Sequence, residues 1–167
     1  MTAADLAVPQ ALRRFEDYVP GGVYEYGPIS LDEAEIVDFA RRYDPQPIHI
    51  DPEAAAAGPF GGLIASGWQT VTVMMRLLVA GFLPGEASLG SPGIDELRWT
   101  RPVRPGDALR IRVTILAATR SRSRRDRGMV RTLVEVLNQK NEVVMSLKAM
   151  NLMRCRNSAA SPPPRAG

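Results

Sequence analysis

The chain is poor in the residues that form covalent and metal cross-links. Its 167 residues include one cysteine, Cys155, and one histidine, His49. A single cysteine cannot form an internal disulfide, and one cysteine with one histidine cannot complete a Cys/His zinc site. We therefore expect no metal site, and nothing in the cysteine usage indicates an oxidising compartment.

Targeting and membrane segments are not expected either. The first twenty residues contain no charged segment leading into an apolar one, so a secretory signal is not predicted. The longest apolar stretch, residues 60–83, carries Arg76 near its middle. A central Arg costs roughly 2.5–3.5 kcal/mol on membrane-insertion scales, so this stretch predicts a helix buried on nearly all sides by protein. We expect a cytoplasmic protein with no membrane partner.

The net charge of +3 conceals a division of charge along the chain. Residues 1–97 carry 5 basic and 14 acidic residues, a net charge of −9, whereas residues 98–167 carry 16 basic and 4 acidic residues, a net charge of +12. Such asymmetry indicates either a surface for a polyanion or two differently solvated faces.

Two short helices are predicted in the first third of the chain. Ser30 and Glu33 have the spacing of a capping box, and Pro45 disfavours helical backbone at the preceding residue, so the first helix should end near Tyr43. Segment 51–58 begins with Asp-Pro and ends with glycine, which predicts a second helix of at most two turns.

From residue 85 onward the apolar residues recur with a period of two, as in half-buried strands. We predict five mostly antiparallel strands, near 23–27, 94–103, 109–115, 130–136 and 145–149. One face of this sheet should cover the apolar helix. A single domain over 1–153 would then be followed by a disordered Ser/Pro-rich tail over 154–167.

The segment from Tyr43 to Pro52 is the richest in chemical groups. It holds His49 five residues after Asp44, between two predicted helices, and its prolines predict an extended backbone. Histidine exchanges protons near neutral pH, and a nearby carboxylate can act with it on the same reacting group. The alternative is that both are hydrogen-bonded structural residues.

A second candidate site is the glycine-containing segment 61–68, which leads into the apolar helix. Backbone N–H groups at a helix N-terminus lack intrahelical partners and carry the positive end of the helix dipole, so they can hold a developing oxyanion. Close packing of a central helix through small residues would explain the same pattern.

These two segments, 44–52 (DPQPIHIDP) and 60–67 (FGGLIASG), resemble the hydratase motif and overhang of the MaoC-like family of (R)-specific enoyl-CoA hydratases and dehydratases. Segment 99–107 is similar to the strand-turn-strand signature of that family. The resemblance covers about residues 18–153. It implies an α+β hot-dog fold, in which an antiparallel sheet wraps around one long central helix, here near 62–80.

The resemblance also implies roles for individual residues. Asp44 and His49 fall on the catalytic acid and histidine, and Gly67 falls on the glycine whose N–H binds the thioester carbonyl. Substrate-binding positions implied nearby are Tyr43, Ser66, Trp68 and Thr72. This chain has Gln46 where the family commonly has Asn and Ser66 where it commonly has His, departures that bear on acyl-chain preference.

The implied activity is addition or removal of water across the 2,3 double bond of an acyl-CoA or acyl-carrier-protein thioester in fatty acid metabolism, with no cofactor. Hot-dog domains typically pair across a two-fold axis, so we expect a homodimer or larger assembly. The basic, strand-rich half should supply the surface on which a phosphorylated acyl carrier docks.

Other functions remain open at this point. The same scaffold hosts acyl-CoA thioesterases and non-catalytic subunits. A serine hydrolase using Ser66 is disfavoured because the G-x-S-x-G pattern is missing. Five arginines between Arg120 and Arg127 suggest nucleic-acid binding, but no aromatic residue interleaves them to stack on bases. We expect no nucleic-acid partner; this segment is interpreted as a solvated hairpin or a contact for CoA phosphates.

Overall fold

The structure is a computed structural model that describes residues 6–156. Its strands are β1 (Val23–Ser30), β2 (Gly93–Trp99), β3 (Ala108–Arg120), β4 (Arg127–Leu137) and β5 (Val143–Arg154). Its helices are α1 (Glu33–Tyr43), α2 (Pro47–Ile50), α3 (Pro52–Ala57) and α4 (Gly67–Leu77), which continues through a π-helical turn at Leu78–Phe82. Short 3₁₀ turns lie at Gln10–Leu12, Phe15–Asp17 and Gly85–Ala87.

The five predicted strands are confirmed and form one antiparallel sheet in the order β1-β3-β4-β5-β2. Most core-facing side chains of the three central strands are at most 1% exposed, among them Leu109, Ile111, Val113, Ile115, Val130, Val134, Val136, Met145 and Leu147. This alternation is what a sheet with one buried face requires. Strand β2 ends at Trp99, four residues earlier than the sequence pattern predicted.

Helix α4 packs against the buried face of the sheet, touching β1 and β3. It begins at Gly67 and not near residue 62, because Gly61 and Gly62 have φ values of +63° and +151°, which no right-handed helix admits. The prediction that protein buries it on nearly all sides is wrong for the single chain. Met75 and Val79 are 46% and 58% exposed, so the helix is amphipathic.

Helix α1 ends at Tyr43 as predicted, but its N-terminal cap differs from the prediction. Asp32 accepts a hydrogen bond from the Glu35 amide at 2.8 Å, and the Glu35 carboxylate accepts one from the Asp32 amide at 3.0 Å. Ser30 is instead the last residue of β1, where it pairs with Ala108. Because Ser30 pairs in β1, the N-cap of α1 lies two residues later than the sequence pattern predicted.

The segment around His49 was predicted to be extended, and that prediction is wrong for its second half. Pro47–Ile50 forms one helical turn, α2, with extended Gln46 at its N-cap. Proline at the first helical position lacks only an N–H that would be unpaired there, so it favours a helix start. Helix α3 follows as predicted, with the Asp51 carboxylate accepting from the amides of Glu53 and Ala54.

The end of the described chain belongs to the domain. Arg154 closes β5, Cys155 is 2% exposed, and Arg156 forms an ion pair with Asp17. The rest of the predicted tail, 157–167, lies outside the described residues.

Across residues 6–156, none of the helices has both the length and the apolar composition needed to cross a membrane.

Candidate active site

Three helix ends converge on the predicted acid–base pair. Asp44 is the C-terminal cap of α1, His49 lies on the single turn of α2, and Ser66 caps the N-terminus of α4. Pro45 and Pro47 restrict the backbone between Asp44 and His49. The pair is therefore placed by short, well-defined backbone segments.

His49 is 5% exposed, and both of its ring nitrogens have neighbours. Nδ1 lies 2.8 Å from the carbonyl oxygen of Ile64, and Nε2 lies 3.3 Å from Oδ2 of Asp44. A carbonyl oxygen can only accept, so Nδ1 carries a hydrogen and donates it to Ile64. Nε2 is thus the nitrogen left for proton exchange beside the carboxylate.

Both oxygens of Asp44 are hydrogen-bonded by neighbouring side chains. The Gln46 amide donates to Oδ1 at 2.7 Å, and the Ser66 hydroxyl donates to Oδ2 at 2.7 Å. These two hydrogen bonds, with a further contribution from His49, hold the pKa of Asp44 below its ordinary value against the opposing effect of burial. Asp44 is therefore ionised at neutral pH.

Gly67 opens helix α4 beside this pair. Its amide belongs to the first turn, where N–H groups lack an intrahelical acceptor and the helix dipole favours negative charge. On the other side of Gly67, the indole N–H of Trp99 donates to its carbonyl oxygen at 3.0 Å. Strand β2 and helix α4 are thus joined at the glycine.

A cavity of about 390 Å³ lies against these groups. Asp44, His49 and Gly67 all line it, as do Gln46, Phe60, Ile64, Ala65, Trp68, Thr70, Trp99, Thr100, Arg101, Pro102 and Val103. Trp68 and Trp99 meet edge to face, with ring centroids 5.5 Å apart, and each is about half exposed. One wall thus carries the acid–base pair, while aromatic and aliphatic side chains form much of the remainder.

The predicted substrate-binding residues are distributed unevenly around this cavity. Trp68 lines it. Ser66 is fully buried and contacts Asp44, while Tyr43 is 69% exposed and packs on Phe39 outside the cavity lining. The Thr72 hydroxyl donates to the carbonyl of Gln69, and Thr72 is also outside the lining.

Sequence reasoning missed Trp99 and Arg101 and the contact between Gln46 and Asp44. The sequence marks Gln46 only as a departure from the family pattern, although its place between two prolines holds it near Asp44. Trp99 and Arg101 reach the cavity from the end of β2, more than thirty residues from Gly67 along the chain. No local pattern indicates such a contact.

The Arg-rich segment lies at the far end of the sheet from the cavity. Trp99 pairs with Met145 on β5, whereas Arg127 pairs with Arg154 at the other end of the same strand. Met145 and Arg154 are nine residues apart on β5, so at about 3.3 Å per residue the two residue pairs are separated by roughly 30 Å. Within one chain, these arginines do not reach the cavity.

Comparison with known proteins confirms the resemblance and the fold. Residues 16–139 match the family model for the MaoC like domain. The chain resembles the crystal structure of a MaoC-like dehydratase from Rhodospirillum rubrum with a TM-score of 0.82 and 41% identity, covering 87% of this chain and 99% of that one. It resembles the (R)-hydratase PhaJ1 from Pseudomonas aeruginosa with a TM-score of 0.71 and 28% identity, covering 92% and 96%.

Among sequence relatives, 3-hydroxyacyl-thioester dehydratase Z from Mycobacterium tuberculosis is 34% identical over 110 residues, which are 65% of this chain and 73% of that protein. The predicted long central helix is shorter than expected, since it runs from Gly67 to Phe82. The chain has a hot-dog fold, and its relatives support a general hydratase or dehydratase role. Because the family model matches most of the length of the chain, the chain belongs to the MaoC-like domain family.

Proposed function

We propose that this protein interconverts 2-enoyl and 3-hydroxyacyl thioesters by adding or removing water. Asp44 and His49 would act as the acid–base pair, and the Gly67 amide would bind the thioester oxygen. The observation that carries the proposal is the 3.3 Å pair of His49 Nε2 and Asp44 Oδ2, which lines the same cavity as Gly67 at the first turn of α4.

The Asp44–His49 pair takes up one proton and returns one in each reaction cycle. In hydration, a water molecule donates its hydrogens to Nε2 of His49 and to Oδ2 of Asp44, and its oxygen attacks C3. As the C3–O bond forms, one proton passes from the water to the pair and the π electrons move to the thioester oxygen. The pair then returns a proton to C2 as the enolate collapses, and dehydration follows the reverse path.

Gly67 would stabilise the negative charge on the thioester oxygen. A backbone amide in the first turn of a helix is fixed in direction and lies at the positive end of the helix dipole, so no reorganisation is needed when the charge develops. Removing one such donor from an oxyanion site typically costs 10²- to 10³-fold in kcat.

The acyl carrier would enter past the aromatic residues at the open side of the cavity. Arg101 lines the cavity with its side chain 57% exposed, so it is the cation we assign to the phosphates of CoA or of a carrier protein. Arg101 belongs to the basic half of the chain, which we expect to dock the carrier, but it lies outside the Arg-rich hairpin.

We further propose that the protein acts as a homodimer in the cytoplasm.

The direct test follows the absorbance of the enoyl-thioester band with crotonyl-CoA and longer 2-enoyl-CoA substrates. We expect Asp44→Asn and His49→Ala to lose roughly 10²- to 10⁴-fold in rate, since each removes an acid–base group. Arg122→Ala, in the exposed hairpin, is the matched control and should keep full activity. Unchanged hydration by both site variants would refute the assignment.

The same assay separates the alternatives. Release of free thiol from acyl-CoA would identify a thioesterase, because hydration leaves the thioester intact. Inactivity of the unaltered protein on every thioester would favour a non-catalytic subunit. A serine hydrolase is disfavoured by geometry, since the buried Ser66 hydroxyl donates to Asp44.

A further inference from the structure

Both oxygens of the Asp44 carboxylate are held by side chains from different parts of the chain. Gln46 follows two residues later, and Ser66 lies twenty-two residues later at the start of α4, yet each donates at 2.7 Å. We propose that Gln46 and Ser66 are positioning residues that keep Oδ2 of Asp44 facing His49 throughout the reaction. This inference rests on the proposed function for its kinetic consequences.

Ser66 does more than cap a helix. Its oxygen accepts from the Trp68 amide at 3.2 Å while its hydrogen goes to Asp44, so one hydroxyl links the N-terminus of α4 to the carboxylate. Capping needs only an acceptor, a requirement that Asp or Asn meets equally well. The donor function toward Asp44 needs the hydroxyl. The fully buried position of Ser66 also leaves it little room to turn elsewhere.

Gln46 occupies a cap position without using its side chain as a cap. It precedes α2, yet its side chain makes no capping hydrogen bond to that helix and donates to Oδ1 of Asp44 instead. Its side chain also lines the cavity. The side-chain amide of Gln46 therefore hydrogen-bonds the Asp44 carboxylate and does not cap α2.

The two donors fix both the direction and the charge of the carboxylate. With Oδ1 held by Gln46, rotation of the carboxylate is restricted, and Oδ2 stays between Ser66 and Nε2 of His49. His49 on α2 faces Oδ2 at 3.3 Å, and Arg101 lines the same cavity. Hydrogen bonds to the ionised form favour that form, so removing either donor should raise the pKa of Asp44.

The experiment compares variants that delete a donor at minimal structural cost. Ser66→Gly keeps an accepted N-cap residue, and Gln46→Met keeps the length of the side chain without its amide. Hydrogen bonds to charged groups are strong enough that we expect each variant to lose roughly 10- to 100-fold in kcat, with KM little changed. The acid limb of the kcat–pH profile should move to higher pH by about one unit.

Ser66→Thr, which retains the hydroxyl, should restore both kcat and the acid limb relative to Ser66→Gly. Gln139→Met is the matched control, because Gln139 makes the same kind of bond to Asp107, at 2.8 Å, outside the cavity. A lower kcat with an unmoved acid limb would overturn the proposal by indicating a purely structural role, and so would full activity in both donor variants.

A second measurement does not depend on turnover. The carboxyl ¹³C resonance of Asp44 can be titrated in the unaltered protein and in Gln46→Met and Ser66→Gly. We expect a higher titration midpoint in each variant. An unchanged midpoint in both would overturn the inference even if hydration is confirmed, whereas raised midpoints in an inactive protein would support the positioning roles and refute only the proposed reaction.

Discussion

Gly67 has no side chain, and both the packing of Trp99 against the start of α4 and the proposed oxyanion site depend on this. A Cβ on Gly67 would lie 2.5 Å from Cε2 and 2.6 Å from Nε1 of Trp99, distances that real Cβ atoms do not adopt. The indole ring is held there by its hydrogen bond to the Gly67 carbonyl and by its edge-to-face contact with Trp68. Any larger residue must therefore displace either the ring or the start of α4.

The first residue-scale prediction concerns Gly67→Ala. We expect kcat for hydration to fall at least about 10-fold, because displacing the first amide of α4 moves the proposed oxyanion donor. The free energy of unfolding should fall by about 1–3 kcal/mol from overpacking against Trp99. Steady-state kinetics and urea denaturation measure the two effects.

Gly58→Ala is the matched control for this variant. A Cβ on Gly58 would lie 3.4 Å from the nearest atom, the Ala54 carbonyl oxygen, and its φ of −86° suits any residue. Its stability and activity should stay close to those of the unaltered protein. Equal tolerance at both glycines would contradict the role given to Trp99.

At the scale of secondary-structure elements, the limits of the helices are set by side chains that satisfy free backbone groups. At the start of α1, the side chains of Asp32 and Glu35 each accept a hydrogen bond from the other residue's amide. The Asp51 carboxylate accepts hydrogen bonds from two amides of α3. Because Asp44 caps the C-terminus of α1 and α3 follows directly after α2, the limits of these helices also determine where the acid–base pair lies.

The element-scale prediction is that Asp32→Ala lowers the free energy of unfolding by about 1 kcal/mol, the usual cost of losing an N-cap carboxylate. Ser30→Ala should change it much less, because Ser30 ends β1 and takes no part in the cap. Urea denaturation of both variants distinguishes the observed cap from the one that the sequence pattern suggested. A larger loss for Ser30→Ala would show that the observed cap is wrong.

At the scale of the whole molecule, the acidic and basic parts of the chain meet across the sheet. Glu25 on β1 pairs with Arg110 and Arg112 on β3, at 3.3 and 2.9 Å. Lys148 on β5 similarly pairs with Glu96 on β2, at 2.8 Å. Part of the charge asymmetry along the sequence is thus compensated by the antiparallel pairing of the strands.

Apolar side chains are exposed on β2 and α4 of the single chain. Ile94 and Trp99 on β2 are 45% and 46% exposed, and β2 is an edge strand of the sheet. Met75 and Val79 are exposed on α4. An unpaired edge beside apolar side chains is a surface on which another strand can pair. The homodimer that we propose would pair through this edge.

The molecule-scale prediction is a mass near twice 18.2 kDa in size-exclusion chromatography with light scattering. Ile94→Glu should shift the mass toward that of one chain, because it places a charge on the β2 edge. Val23→Glu, on β1 at the opposite edge, is the control and should leave the mass unchanged. A single 18.2 kDa species for the unaltered protein would refute the dimer.

The sequence by itself determined the features that depend on neighbouring residues. The period of two predicted β3, β4 and β5, Pro45 set the end of α1, and the step from Asp44 to His49 marked the candidate acid–base pair. The two motifs around that pair also identified the family. The strand and helix predictions rest on local geometry, in which side-chain spacing and proline restrict the backbone directly, whereas the family rests on the resemblance of the motifs.

The tertiary structure alone decided which distant groups meet. Trp99 lies against Gly67 because β2 ends beside the start of α4, and the Ser66 hydroxyl reaches Asp44 because α1 and α4 converge. It also placed the arginines of the hairpin at the far end of the sheet and left one face of α4 exposed. These contacts depend on strand order and helix packing, which bring together residues whose separation along the chain carries no local signal.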